Sequence, residues 1–204
     1  MTSTASAPGV DGRRQRSERT RQLIIDAYLA LLREDPHVPT SARIAERAGY
    51  SVRSVFERFP DLLALRIAAT DHAFALGNAQ APLRDLDADR PTRIRSQVQT
   101  RAQTCETWLP LWRALNVNHG ESVELKARIR LVRTAIMQRL ETMYRPELAA
   151  LDERERRNIL IALEALTDFE SWARMREDHD LPIEQARVVW IETIDRLLPP
   201  TPGA

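Results

Sequence analysis

The stretch "RIAERAGYSVRSVFERFP", residues 43–60, decides how this chain of 204 residues folds. Its apolar residues recur at intervals of three and four, which is the period of a helix and not of a strand. Gly49 can take the left-handed backbone conformation that ends a helix, and Ser51 can cap the helix that follows. The stretch therefore predicts two short helices, over 41–48 and 52–59, joined by a tight turn.

The flanking sequence predicts further helices and no strands. An amphipathic helix is expected over 17–34, before Pro36, and Thr40 is the expected N-cap of the helix over 41–48. Pro60 is expected to end the helix over 52–59. The other predicted helices cover 62–77, 91–108, 111–117, 122–144, 152–177 and 183–198. The predicted fold class is therefore all-α, with about nine helices.

Positive charge is concentrated near the N-terminus. The formal net charge is only +1, yet residues 13–60 carry ten arginines against six acidic residues. A local basic excess of this kind is typical of a surface that binds nucleic acid. We predict four segments: a disordered basic arm (1–16), a helix-turn-helix DNA-binding domain (17–62), a helical ligand-binding and dimerisation domain (63–199) and a disordered tail (200–204).

The composition argues against several other classes of protein. The single cysteine, Cys105, cannot form an internal disulfide, and no Cys/His cluster has the spacing of a zinc site. No segment has the apolar length of a secretory signal or a membrane span. We therefore expect a cytoplasmic protein with no membrane partner, no metal and no cofactor.

Two short helices joined by a tight turn form a helix-turn-helix if their apolar residues face one core. Three residues of the first helix and three of the second are expected to do so: Ile44, Ala45, Ala48, Val55, Phe56 and Phe59. The outward residues at the start of the second helix are then placed where a recognition helix meets base edges in the major groove.

Arg53 is the predicted reader of a base. Its guanidinium can bond guanine O6 and N7 together, and Ser54 or Tyr50 can bond bases or phosphates. The backbone phosphates would be neutralised by further arginines, namely Arg13, Arg14, Arg16, Arg43, Arg47 and Arg58. The alternative is an ordinary helical surface on which Arg53 only pairs with Glu57 four residues later.

Two segments resemble the N-terminal domain of the TetR family of transcriptional regulators. They are "RTRQLIIDAYLALL", residues 19–32, and "IAERAGYSVRSVFERFPDLLAL", residues 44–65. The shared features, in order, are an amphipathic first helix, an Ile-Ala opening, an Ala-Gly-x-Ser turn, an aromatic-x-x-Phe close and a leucine that enters the fourth helix. The resemblance covers residues 17–66, and beyond them only the helical layout matches.

The resemblance implies a homodimer that binds a palindromic operator in double-stranded DNA, usually as a repressor. It also implies release of the operator when a small-molecule effector, here unknown, enters the C-terminal domain. Together, the residue pattern and the resemblance predict the residues that contact DNA: Arg14, Thr40, Arg43, Tyr50, Ser51, Val52, Arg53, Ser54, Phe56, Glu57 and Arg58.

Several residues depart from the family pattern. The family commonly has a tyrosine where Phe56 stands and a lysine where Leu62 stands, and both of those residues contact phosphates. Arg58 replaces the usual histidine or tyrosine and is a candidate substitute contact. Glu57 adds an acid to the DNA-facing helix, where it would either accept a hydrogen bond from cytosine N4 or hold Arg53 in position.

The C-terminal helices predict a dimer interface. The segment "ILIALEAL", residues 159–166, is apolar nearly all round, so it needs a second surface to bury against. Paired with Val189 and its neighbours on the last helix, it would form an intermolecular four-helix bundle. The expected interface residues are Ile159, Ala162, Leu163, Leu166, Trp190, Ile194 and Leu197. The alternative is that these residues fill the core of their own chain.

A ligand pocket is predicted around "TCETWLPLWRALN", residues 104–116. Its expected residues are Cys105, Trp108, Trp112, Asn116, His119, Met143, Phe169 and Trp172. The same aromatic residues would equally suit an ordinary core. Two rival functions also remain: a protein-interaction module of the same fold that lacks specific DNA binding, and a small helical enzyme that uses Cys105 and His119.

Overall fold

The computed structural model describes residues 8–120 and 122–202. These residues form ten α-helices and a π-helical turn, with no strand among them, so the predicted all-α fold is confirmed. The helices are α1 (Pro8–Glu34), α2 (Ser41–Ala48), α3 (Val52–Arg58), α4 (Leu62–Gln80), α5 (Arg90–Asn118), α6 (Val123–Met143), α7 (Arg145–Leu148), α8 (Glu153–Leu166), α9 (Phe169–Ala173) and α10 (Ile183–Leu197).

The first helix is longer than the sequence predicts. It begins at Pro8, since proline fits the first turn of a helix, and the good helix formers of residues 13–16, three arginines and a glutamine, extend it. Arg16 Nε also donates to the carbonyl oxygen of Gly12 within this extension. The prediction of a disordered arm is therefore wrong from residue 8 onward, and residues 1–7 lie outside the described part of the chain.

A buried ridge on α1 organises the N-terminal half. The ridge comprises Ile24, Ile25, Tyr28, Leu29, Leu31 and Leu32. α1 packs against α2, α3, α4 and α5, so this ridge meets both the helix-turn-helix and the C-terminal helices. Each fully buried side chain of this size contributes about 1.5 to 3 kcal/mol of hydrophobic stabilisation.

α5 runs without a break through Pro110, where the sequence predicts two separate helices. A proline inside a helix costs about 3 kcal/mol because it removes a hydrogen bond and crowds the preceding turn. Trp108, Leu111 and Trp112 flank the proline and are buried, and their burial offsets that cost.

The helix predicted over 152–177 is divided in the structure. α8 ends at Leu166, and the hydroxyl of the C-cap residue Thr167 donates to the carbonyl oxygen of Leu163. Asp168 then precedes α9, which continues as the π-helical turn Arg174–Asp178. Short α7, which the sequence did not predict, joins α6 to α8.

A buried ion pair ties the C-terminal residues to the helical body. Arg93 of α5 donates to both carboxylate oxygens of Glu147 on α7 and to the carbonyl oxygen of Met143. Thr201 Oγ1 donates to Glu147 as well, at 2.6 Å. Thr201 therefore contacts the helical body, although the sequence predicts a disordered tail over 200–204, and residues 203–204 lie outside the described part.

The two predicted domains share their interior. Buried apolar side chains from α1 through α10 form one continuous cluster, with Leu65 and Ala69 of α4 near the predicted boundary. No helix within residues 8–120 and 122–202 is long and apolar enough to span a membrane.

The Glu147 ion pair makes a stability prediction. Glu147→Gln removes the only carboxylate that pairs with Arg93 among the described residues and leaves a buried guanidinium charge uncompensated. We expect the free energy of unfolding in urea at pH 7 to fall by about 3 kcal/mol or more. As the control, Glu192→Gln breaks the exposed pair with Arg196, and we expect a loss below about 0.5 kcal/mol.

Acid titration provides a second measurement on the same pair. Burial raises the pKa of the Glu147 carboxyl, but hydrogen bonds from Arg93 and Thr201 outweigh it, so its pKa lies below the ordinary value. A carboxyl with a lowered pKa in the folded state stabilises the protein above its unfolded pKa, and that stability is lost as the pH falls through the folded pKa. Equal acid sensitivity of Glu147→Gln and the wild type would contradict this assignment.

Candidate nucleic-acid interface and interior cavity

Three caps fix the geometry of α2 and α3. The hydroxyl oxygen of Thr40 accepts from the Arg43 amide at 3.3 Å at the start of α2, and that of Ser51 accepts from the Ser54 amide at 3.1 Å at the start of α3. Between the two helices Gly49 adopts a left-handed conformation with φ 74°. The Tyr50 amide then donates to the carbonyl oxygen of Ala45 at 2.9 Å, which closes the turn.

The inner faces of α2 and α3 anchor the turn to α1. Ile44, Ala45, Val55 and Phe59 are buried. The Arg21 guanidinium of α1 lies 5.0 Å from the ring centre of Phe59, within the range of a cation–π contact. These contacts hold α3 rigidly with respect to the rest of the N-terminal half.

The outer face of α3 carries Val52, Arg53, Phe56 and Glu57. The Arg53 side chain is 88% exposed and its Nε donates to Glu57 Oε1 at 3.1 Å. Phe56 is 43% exposed, so the prediction that it packs inward is wrong. The reason is helical geometry, because Val55 and Phe59 share the inner face and Phe56 lies about 100° round from Val55. Phe56 instead joins Val52, four residues earlier, on the outer face.

The remaining residues predicted to contact DNA differ in exposure and in whether another side chain already holds them. Arg14 on the first turns of α1 and Arg43 on α2 are exposed. Arg47 is held by Glu34, to which both of its Nη atoms donate. The hydroxyl oxygen of Tyr50 lies 3.4 Å from Thr20 Oγ1. Arg58 is half-buried, and its Nε is buried without a partner among the described residues.

The C-terminal helices surround a cavity of about 410 Å³. Its walls come from α1, α4, α5, α6 and Phe169 of α9. The α5 wall is a single helical stripe in which Gln97, Arg101 and Thr104 lie above Trp108 and Trp112. Tyr28 of α1 also lines it, and burial raises the pKa of that phenol to about 12 despite the opposing effect of Arg66, so the phenol stays neutral.

Only some of the predicted pocket residues line the cavity. Trp108, Trp112 and Phe169 line the cavity. Cys105, Met143 and Trp172 lie in the core beside it, and Asn116 and His119 do not line it. The sequence prediction missed Arg66, Arg101 and Arg139. The signal available for Arg101 was the run of polar residues on the otherwise buried face of α5, whereas Arg66 and Arg139 lie on α4 and α6.

Cys105 and His119 are not arranged as a nucleophile and its base. His119, the residue after α5, follows Cys105 by fourteen positions, which places the two about 21 Å apart along the helix axis. Cys105 is fully buried, and burial raises the pKa of its thiol to about 11. The His119 Nδ1 atom lies 3.0 Å from the carbonyl oxygen of Gly120. This geometry does not support the enzyme alternative.

The predicted dimer residues lie on two sides of α8 and α10. Leu163, Trp190 and Ile194 are fully buried within their own chain, so the prediction that they contact a partner is wrong. They belong to the inner stripes of their helices, which repeat every three to four residues. Ile159 and Leu166 are half-buried, and Ala162 and Leu197 are exposed. The outer stripes carry further exposed apolar side chains at Ile161, Val188 and Val189.

A solved structure with the same architecture belongs to a TetR-family transcriptional regulator from Streptomyces coelicolor. The match has a TM-score of 0.72 and covers 88% of this chain and 80% of that chain, at 17% sequence identity. No family model matches the sequence, and no curated protein matches it. The chain therefore has the fold of a TetR-family regulator, as its N-terminal sequence predicts.

The left-handed turn between α2 and α3 makes a stability prediction. Gly49→Ala places a side chain at φ 74°, although no atom lies within 4 Å of the added Cβ, so the cost is conformational. We expect the free energy of unfolding to fall by about 1 to 2 kcal/mol. Gly12→Ala, near the N-terminal end of α1 and equally uncrowded, is the control and should be neutral or stabilising by up to about 1 kcal/mol. Urea denaturation measures both, and equal effects would contradict the turn geometry.

Proposed function

We propose that this protein is a transcriptional regulator that binds double-stranded DNA through the outer face of α3. The observation that carries the proposal is Arg53, which extends into solvent from a helix whose position is fixed by two caps and a buried inner face. A rigid helix with an exposed arginine near its N-terminus suits the major groove, where arginine bonds guanine O6 and N7. The similarity of fold to a TetR-family regulator supports the same proposal.

The other residues of the interface take different roles in this proposal. Val52 and Phe56 are apolar and exposed, so they suit contact with thymine methyl groups. Ser54 and Tyr50 contact bases or phosphates. Ser51 and Thr40, which cap α3 and α2, place the first turns of these helices against the phosphate backbone of the DNA. Arg43, Arg58 and Arg14 neutralise phosphates, whereas Arg47 contributes less because it is paired with Glu34.

We further propose that the protein acts as a homodimer on a palindromic operator. One short recognition helix reads too few base pairs for useful specificity, and a two-fold pair reads two half-sites about 34 Å apart. The exposed apolar stripes of α8 and α10 are the proposed dimer surface, with Ile161, Val188, Val189 and Leu197 as its apolar centre. Exposed apolar patches of this kind mark contact surfaces.

We also propose that the protein is a repressor released by an effector that binds in the cavity, and the position of the cavity supports this proposal. α1 lines the cavity through Leu32 and packs against α2 and α3, and α4 lines it through Thr70 and is separated from α3 by only three residues. An effector in the cavity would favour a conformation in which the two recognition helices no longer match successive major grooves. It can shift that equilibrium only by its difference in affinity for the two conformations. Such a regulator acts in the cytoplasm.

A second candidate function is a protein-interaction module that does not bind specific DNA. The exposed pair Val52 and Phe56 favours it, because an apolar outer face also suits a protein partner. Phe56 lacks a hydroxyl for a phosphate and Glu57 adds negative charge, which weigh in the same direction. A DNA-binding experiment separates the two candidates.

Substitution of two exposed arginines tests the DNA-binding proposal. We expect Arg53→Ala to cost about 1 to 3 kcal/mol at the preferred site and to relax the preference at one base pair. The control, Arg14→Ala, should weaken binding to all sequences alike and reduce the salt slope by about 1. Fluorescence anisotropy at several salt concentrations, on duplexes selected from genomic fragments, measures both effects.

Two outcomes of that experiment would be decisive. A wild-type protein with no sequence preference at any salt concentration would reject the regulator and favour the interaction module. A preference that survives Arg53→Ala unchanged would keep the regulator and remove Arg53 as the reading residue.

The dimer surface makes a separate prediction. We expect Val189→Asp or Ile161→Asp to shift the protein from dimer to monomer in sedimentation at micromolar concentration, because a carboxylate would be buried unpaired at the interface. Leu131→Asp is the control, since Leu131 is an exposed apolar residue on α6, a helix that is not part of the proposed surface. A wild-type monomer, or dissociation by Leu131→Asp alone, would contradict the proposal.

A further inference from the structure

The cavity has an unusual distribution of charge. Three arginines, Arg66, Arg101 and Arg139, contribute to its lining, and none of its described lining residues is acidic. None of the three forms an ion pair with an acidic side chain of the described chain. Buried charges are normally paired, because an uncompensated ion in the interior is costly. The cavity is therefore a positively charged site whose counter-ion does not come from the described residues.

Arg101 is the least satisfied of the three arginines. It is only 6% exposed, and its Nε donates to the carbonyl oxygen of Thr167 at 2.8 Å. Its Nη2 is buried with no hydrogen-bond partner in the described chain. A guanidinium has five N–H donors in a planar fork that matches a carboxylate. Arg101, which lines the cavity, therefore keeps an unpaired Nη2 donor for a bound anion.

The other two arginines differ from Arg101 because neutral acceptors hold them. Arg139 donates to Gln97 Oε1 and to the carbonyl oxygens of Ala81 and Pro82. Arg66 donates to the carbonyl oxygen of Asn118. Burial lowers the pKa of Arg139, and the positive charge of Arg101 lowers it further. An anion bound at Arg101 would relieve that repulsion, which adds to its affinity.

An aromatic wall lies directly beside Arg101. Its guanidinium carbon is 4.5 Å from the ring centre of Phe169, and Phe169 stacks on Trp112 with ring centres 5.0 Å apart. Trp108 and Leu111 extend the apolar surface along α5. A ligand with one anionic end and an apolar body would place its charge on Arg101 and its body against this wall.

We propose that the cavity binds small organic carboxylates with an apolar body, and that Arg101 is the residue that selects for the negative charge. Only one consequence rests on the proposed function, namely that a carboxylate bound in the cavity alters DNA binding. Binding of the carboxylate itself involves only the protein and the acid. Neutral and cationic molecules of the same shape would leave the Arg101 charge uncompensated and bind more weakly.

Matched ligands on the purified full chain test the proposal. The probes are octanoate and 1-naphthylacetate, each compared with its primary amide and with the amine of the same skeleton. Titration calorimetry measures affinity, and the fluorescence of Trp108 and Trp112 reports on occupancy because both line the cavity. We expect each carboxylate to bind about tenfold or more tightly than its amide, with the amine weakest, as a hydrogen bond to a charged group predicts.

A pair of arginine variants locates the selecting charge. Arg101→Met keeps an apolar stem of similar length and removes the guanidinium, so the preference for carboxylate over amide should disappear. Arg95→Met is the control, since Arg95 is exposed on the same helix and does not line the cavity. If Arg101→Met does not fold, the comparison of acid, amide and amine on the wild type still tests whether the cavity prefers a negatively charged ligand.

The outcomes separate this inference from the proposed function. Equal affinity for amide and acid, no binding of either acid, or an unchanged preference in Arg101→Met would overturn the inference, even if specific DNA binding is observed. A carboxylate preference that depends on Arg101, in a protein without specific DNA binding, would support the inference and reject the regulator.

Discussion

Burial of the α1 ridge is the interaction on which the rest of the structure depends. Ile24 and Ile25 are buried where α1 meets its neighbours, and Leu29 and Leu32 further along the same helix line the cavity. α1 thus packs against the helix-turn-helix that carries the proposed recognition helix α3, and it also forms one wall of the proposed effector cavity. Interiors are close-packed, so α1 cannot move at one of these places without repacking at the other.

α4 shares this double role through its own sequence. Asp61 caps it immediately after Pro60, which leaves only a short connection between the end of α3 and the start of α4. Further along, Thr70 and Phe74 face the cavity. Two continuous helices, α1 and α4, therefore connect the cavity to the proposed DNA-binding surface. Coupling two sites through rigid elements has two physical requirements. One is contiguous packing of this kind, and the other is a difference in ligand affinity between the two conformations.

Local features were predictable from the sequence, and long-range features were not. The caps at Thr40 and Ser51 and the turn at Gly49 depend on residues within one helical turn, so the sequence defines them. Phe56 was misplaced because a seven-residue helix offers too few positions to tell its inner face from its edge. The arginines of the cavity come from three separate helices, and no local pattern brings them together. Pro110 predicts the end of a helix, and the burial that offsets the cost of this proline depends on tertiary packing, which the local sequence does not show.

The contact between Arg53 and Glu57 has a consequence for how the protein would search DNA. An exposed pair four residues apart on a helix is worth only about 0.3 to 0.5 kcal/mol, so a guanine can displace Glu57 easily. Glu57 is nevertheless always present as a competing acceptor, and its charge repels phosphates. A pair of that strength is close to the thermal energy, so over random stretches of duplex Arg53 would exchange between Glu57 and solvent. In the proposed regulator a guanine at the right position would compete with Glu57 for the side chain, so an acid that touches no base would tune the selectivity.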